Sequence, residues 1–204
     1  NDPFAFPERH FATHCTTPRH QEYKPIPQPL NPQPAQPRHS LDLSKLDLSG
    51  IAPLETPPEF VQGAQALHIN FEAGDIARLG RYLAILLKVS ETINLTAIKD
   101  APTAWMRHIL DSLTLLPLLS ELPEGARVID VGSGGGLPGL PLAITMPHLH
   151  FTLLEATGKK AAFLESVTQQ LGLKNVTILA ERAEVAAHDR GTKISQGGQT
   201  MRVG

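Results

Sequence analysis

The sequence predicts the first half of a doubly wound α/β sheet, preceded by a small helical subdomain. Three observations carry this. Apolar residues recur at spacings of three and four over 75–119. Short apolar runs then alternate with amphipathic segments over 127–181, the rhythm of strand–helix–strand units. A glycine cluster at 132–136 sits between the first such run and the helix after it, where this architecture places its ligand loop.

Residues 1–58 differ in kind from the rest, since they hold 12 of the 18 prolines. Proline fixes φ and removes a donor, so the stretch 24–39 is expected to be extended and polyproline-like. With few large apolar side chains to repay the entropy of ordering, 1–58 reads as a disordered extension. A ligand for a proline-recognising domain is the weaker reading, for want of a basic anchor. His10, His14 and Cys15 form an HxxxHC cluster, but nothing around it supports a helix, so chance accounts for it better than a metal does. No metal site is assigned.

The helical subdomain is expected over 59–122. In 75–89, Ile76, Leu79, Leu83, Leu86 and Leu87 form an apolar stripe, with Asp75 as N-cap. Gly80 interrupts it at a cost of about 1 kcal/mol relative to Ala. Asp100 and Pro102 open a second helix over 101–119, buried along Trp105, Ile109, Leu113 and Leu116. Arg107, His108 and Asp111 lie beside that stripe, and Arg107 is expected to pair with Asp111 one turn on.

The period changes from Ala126. Residues 127–131 (RVIDV) read as a strand covered on both faces. A helix starting near Pro138, a strand at 151–156, a helix at 158–173 and a strand at 175–181 follow, making 123–188 an incomplete α/β domain. Residues 189–204 show no apolar period and are expected to be an unstructured tail. Nothing then remains to pair with the other side of the first strand, so Val128, Ile129 and Val131 should belong to an unpaired edge. The first residue is Asn, and the chain reads as processed or as an incomplete version of a longer one.

Composition narrows the function. No apolar run is long enough to cross a bilayer, and no secretory signal is apparent. A single cysteine excludes a disulfide scaffold and fits a reducing, cytoplasmic setting. The net charge of −2 confines any nucleic-acid contact to a local patch.

The chemistry centres on 130–139, DVGSGGGLPG. Gly132, Gly134 and Gly136 let the chain turn tightly and let a ligand approach the backbone. A dinucleotide loop would place its third glycine at 137, where this chain has Leu137, and no Gly-Lys-Ser/Thr follows as in a phosphate loop. Asp130, two residues before the first glycine, would repel a pyrophosphate but suits the amino group and sulfonium of S-adenosylmethionine. Glu155 lies 23 residues beyond Gly132, about where an acid takes ribose hydroxyls. Ala183 and Glu184 follow the third strand, beside the expected adenine ring.

Four blocks now fall in a recognisable order: Asn94-Leu95-Thr96-Ala97-Ile98, Arg107-His108-Ile109-Leu110-Asp111-Ser112, the loop from Asp130 to Gly139, and Gly158-Lys159-Lys160. From about Leu67 to Glu184 the chain resembles the RsmG (GidB) family of bacterial small-subunit ribosomal RNA guanine-N7 methyltransferases. The resemblance implies a Rossmann-like S-adenosylmethionine-dependent methyltransferase fold. It also implies methyl transfer to N7 of a guanine in small-subunit ribosomal RNA, with Gly132, Leu137, Ala183 and Glu184 as cofactor contacts. The family pattern continues into a strand ending in a Ser/Ala-Arg-Ala block that this chain lacks, and it has no counterpart to the proline-rich N-terminus. Guanine N7 already bears an in-plane lone pair, so no general base is required and no catalytic residue is assigned. Positioning alone supplies up to about 7–11 kcal/mol. Arg107, Lys159 and Lys160 are candidates for RNA phosphate contact. The expected protein is a cytoplasmic monomer, and this chain by itself is expected to be inactive. The alternatives are a non-catalytic remnant or frameshifted fragment and, less well supported, a nicotinamide-dependent oxidoreductase.

Overall fold

Strands β1 (Arg127–Val131), β2 (His150–Leu154) and β3 (Val176–Leu179) run parallel, with Val131 in register with Leu154 and Leu154 with Leu179. Two short strands, β4 (Lys193–Gln196) and β5 (Gln199–Arg202), extend the sheet antiparallel beyond β3 in the order β1-β2-β3-β4-β5. The computed structural model describes Leu48 and residues 50–188, 193–196 and 199–202, all within the unit His39–Gly204. The proline-rich stretch 24–39 and the cluster of His10, His14 and Cys15 lie outside the described residues. The tail expected to lack structure therefore contains a hairpin; two four-residue strands are too short to leave an apolar period in the sequence.

Each parallel crossover contains a helix: α6 (Gly139–Thr145) between β1 and β2, and α7 (Gly158–Leu171) between β2 and β3. Helix α8 (Ala183–His188) follows β3. Along β1 the side chains alternate, as a pleated strand requires. Val128 packs against the core, while Ile129 and Val131 are each 58% exposed. Among the described residues β1 pairs only with β2, so the expected open edge is present. Cover on both faces is not: the side chains of Ile129 and Val131 stay more than half exposed. Burying such side chains is worth about 1.5–3 kcal/mol each, a gain this arrangement forgoes.

Ahead of the sheet lie α1 (Pro58–Ala66), α2 (Asp75–Ser90) and a helical run made of α3 (Ala101–Ala104), a π turn (Trp105–Leu110) and α4 (Asp111–Leu113), then α5 (Leu116–Leu119). Asp100 caps α3 by accepting from the Thr103 amide at 2.9 Å. Asp75, expected as the N-cap of α2, is instead its first residue and follows Gly74. Its carboxylate accepts from the Glu72 amide at 3.0 Å and pairs with Arg78. Helix α2 packs on both α6 and α7. One apolar core runs from Phe60, Trp105 and Leu83 through Leu140 and Leu164 to Ile178, shared by the helical segment and the sheet.

The extension expected through residue 58 joins that core earlier. Leu48 is 3% exposed, and Ile51 and Leu54 pack against the core. The Leu54 amide donates to the Gly80 carbonyl at 3.1 Å. A Cβ at Gly80 would lie 2.8 Å from the Leu54 carbonyl oxygen and 3.2 Å from the Trp105 ring. Gly80 is thus the point where the incoming chain crosses α2, which the helical pattern alone registers only as a defect.

Candidate functional site

The glycine loop begins where β1 ends. The amides of Gly132 and Ser133 donate to the Leu154 carbonyl at 2.8 and 3.2 Å, tying the loop to the end of β2. Gly132 and Gly134 have φ of 80° and 57°, conformations that L side chains rarely adopt. A Cβ at Gly132 would meet nothing within 4 Å, and one at Gly134 only the Gly132 carbonyl oxygen at 3.8 Å. This backbone is open to a ligand. Gly135 and Gly136 are different: both are buried, and added carbons there would strike Leu86 and Leu140 respectively. At Gly136 both close packing and a φ of 92° therefore require glycine.

Two acids and a tyrosine hold the loop. Glu155 is 7% exposed and accepts from the Gly134 amide at 2.9 Å and from the Thr157 amide at 2.7 Å. Burial pushes its carboxyl up, but those hydrogen bonds and the Lys160 charge outweigh burial and hold it below its ordinary value. Asp130 accepts from the Gly139 amide at 3.1 Å, the first residue of α6. Here burial dominates and raises the carboxyl, against the opposing pull of Gly139 and Ser133. Tyr82, fully buried on α2, donates to the Gly135 carbonyl at 2.7 Å. Burial first, and the nearby Asp130 charge second, push its phenol well above its ordinary value, so it stays a donor. Sequence reasoning missed Tyr82; a tyrosine within a leucine stripe carries no local sign of what its hydroxyl reaches.

A cleft of about 280 Å³ opens beside the loop. Gly132, Ala183 and Glu184 line it together with Val131, Leu154 and Ala156. The structure thus brings three of the expected cofactor residues to one place. Leu137 lies elsewhere: with Pro138 it walls a second cleft of about 410 Å³, lined also by Arg107, His108 and Asp111. Lys159 and Lys160 sit in the first turn of α7, Lys159 exposed and Lys160 half-buried.

The expected Arg107–Asp111 ion pair is not formed, because a π turn occupies Trp105–Leu110 and shifts the register on which an i,i+4 pair depends. His108 Nε2 lies 2.7 Å from Thr96 Oγ1, which also accepts from the Ile98 amide. Burial pushes the imidazole below its ordinary value despite the Asp111 charge nearby, which favours the neutral ring. The blocks 94–98 and 107–112 are therefore joined by a side-chain contact.

Among the described residues no helix is long and apolar enough to cross a membrane. The family model for rRNA small subunit methyltransferase G, GidB, matches residues 75–195. Curated relatives named ribosomal RNA small subunit methyltransferase G are similar over much of the chain. The protein of Sorangium cellulosum is 56% identical over 139 residues, covering 68% of this chain and 58% of the relative. That of Chromobacterium violaceum is 44% identical over 126 residues, 62% of this chain and 59% of the relative. That of Ectopseudomonas mendocina is 43% identical over 126 residues, 62% and 58%. The chain spans about three fifths of the length of these relatives. The strand–glycine loop–helix unit, the acids that brace it and the extent of the family match lead to one conclusion: the chain belongs to the rRNA small subunit methyltransferase G family.

Proposed function

We propose that this chain carries the cofactor-binding part of an enzyme that transfers a methyl group from S-adenosylmethionine to N7 of a guanine in small-subunit ribosomal RNA, working in the cytoplasm as a monomer. The observation that carries the reading is the open backbone at Gly132 and Gly134, beside a cleft that Ala183 and Glu184 also line. Space that a Cβ would fill, next to apolar Val131, Leu154 and Ala156 and the acid Glu184, suits an adenosine ligand. Asp130 is the group for the ligand's ammonium, whose charge would offset the burial that raises this carboxyl. Glu155 fits a bracing role better than the direct ribose contact expected from the sequence, since each of its oxygens already holds an amide.

S-adenosylmethionine supplies an electrophilic methyl on a sulfonium. The chain's own residues position and exclude. Tyr82, Glu155 and Asp130 fix the loop before a ligand arrives, so little reorganisation remains at the moment of transfer. Arg107, Lys159 and Lys160 are proposed to meet RNA phosphates. The exposed Ile129 and Val131 of β1 support a finer expectation: this chain alone gives no methyl turnover, which tritiated methyl incorporation into small ribosomal subunits would test. For the cofactor, S-adenosylhomocysteine should raise the melting temperature of the full chain while NADH leaves it unchanged. The reverse result would overturn the cofactor reading.

A further inference from the structure

The second cleft shares no lining residue with the first. Its lining combines the charged side chains Arg107 and Asp111 with apolar Leu115, Leu137 and Pro138. Helix α4, which bears Asp111, packs on α6, whose first residue is the partner of Asp130. Both charged side chains are exposed, and among the described residues neither has an ion-pair partner. The π turn is the reason they do not neutralise each other; such turns are frequent at functional sites. His108, tied to Thr96 and favoured as the neutral ring, adds no competing positive charge. The cleft thus offers one guanidinium, one free carboxylate and an apolar wall within about 410 Å³.

Resting on the methyltransferase reading above, we propose that this cleft is the subsite for the target nucleotide of the RNA. The Asp111 carboxylate accepts the N1–H and N2–H of guanine, and Arg107 contacts its phosphate. Guanine presents those two donors side by side on one edge, a match for the two oxygens of a carboxylate. Adenine presents a bare N1 acceptor at that edge and would leave the carboxylate opposed by a lone pair. N7 lies on the far side of the ring from this edge, so a guanine held by Asp111 turns N7 away from α4. Single-stranded RNA bases are commonly read in this way, by their Watson–Crick edge against an apolar or stacking wall.

The test uses the isotopically labelled full chain, titrated with guanosine 5′-monophosphate, guanosine, adenosine 5′-monophosphate and, separately, S-adenosylhomocysteine, while backbone amide resonances are followed. The guanine nucleotide should shift the amides of Arg107, Asp111 and Leu137 and bind about tenfold or more tightly than the adenine nucleotide. Asp111→Asn should erase most of that preference, and Arg107→Ala should reduce the advantage of the nucleotide over guanosine. Both positions are exposed, so the fold should survive either change. Equal binding of the two nucleotides, shifts confined to other residues, no detectable guanine binding, or an Asp111→Asn variant that discriminates as before would overturn the proposal. S-adenosylhomocysteine reports independently through Gly132 and Ala183. Its failure with guanine binding intact would remove the cofactor reading and leave the base subsite standing.

Discussion

The Tyr82 hydroxyl donates to the Gly135 carbonyl across 2.7 Å, fastening helix α2 to the glycine loop over 53 residues of sequence. The bond is buried, and Gly135 is seated against Leu86 of the same helix. Tyr82→Phe keeps the ring and removes only the donor, leaving the carbonyl unsatisfied at a cost of about 1–3 kcal/mol. The melting temperature should fall, and calorimetry should show weaker S-adenosylhomocysteine binding. A variant with unaltered stability and affinity would mean the bond fixes nothing.

Glu155→Ala removes the acceptor for both the Gly134 and Thr157 amides. Hydrogen bonds to a charged group contribute about 1.5–3 kcal/mol each, so the loss should be large and should extend to ligand affinity. Because the folded-state carboxyl lies below its ordinary value of 4.5, its contribution is present above that pH. It is lost as pH falls through the lowered value. Denaturant titrations should therefore show the gap between the wild-type chain and Glu155→Ala narrowing as the solution is acidified from pH 6. A constant gap would show that packing and not charge is responsible.

At Gly134, a valine would enter open space rather than a crowded core, but at φ 57°. A β-branched residue is strained there by about 1–3 kcal/mol, and its methyl groups would occupy the side from which a ligand approaches. Gly134→Val should abolish S-adenosylhomocysteine binding while leaving a folded, though weakened, chain, as circular dichroism and calorimetry together would show. Retained affinity would reject the loop as the binding surface.

Where the N-terminal segment begins to matter is also testable. Removing residues 1–57 takes away Leu48, Ile51 and Leu54, and should lower the melting temperature by several degrees relative to removal of 1–47. Gly80→Ala makes the same point from the other partner. Helix propensity favours alanine by about 1 kcal/mol, yet the new carbon would press on the Leu54 carbonyl oxygen at 2.8 Å. Overpacking of this kind costs about 1–3 kcal/mol, so a net loss of stability is expected. A gain on Gly80→Ala would show that the crossing segment yields easily.

By itself, the sequence determined what depends on near neighbours. The strand at 127–131, the helices at 75–90 and 158–171 and the glycine turn between β1 and α6 follow from spacing, capping and backbone freedom, all of which act within a few residues. The family, too, was legible, because its blocks are contiguous stretches of residues. Only tertiary structure decided which loop atoms are free and which are held. Tyr82 reaching Gly135, Glu155 turning inward to Gly134, and Leu54 crossing Gly80 join residues 53, 21 and 26 positions apart. No local periodicity encodes such pairings, since they arise when separately formed elements bury their apolar faces against one another and their polar groups must find partners at the seam. The same holds for Arg107 and Asp111: four-residue spacing promised a pair, and one π turn left the two charges apart, facing a cleft walled by Leu137.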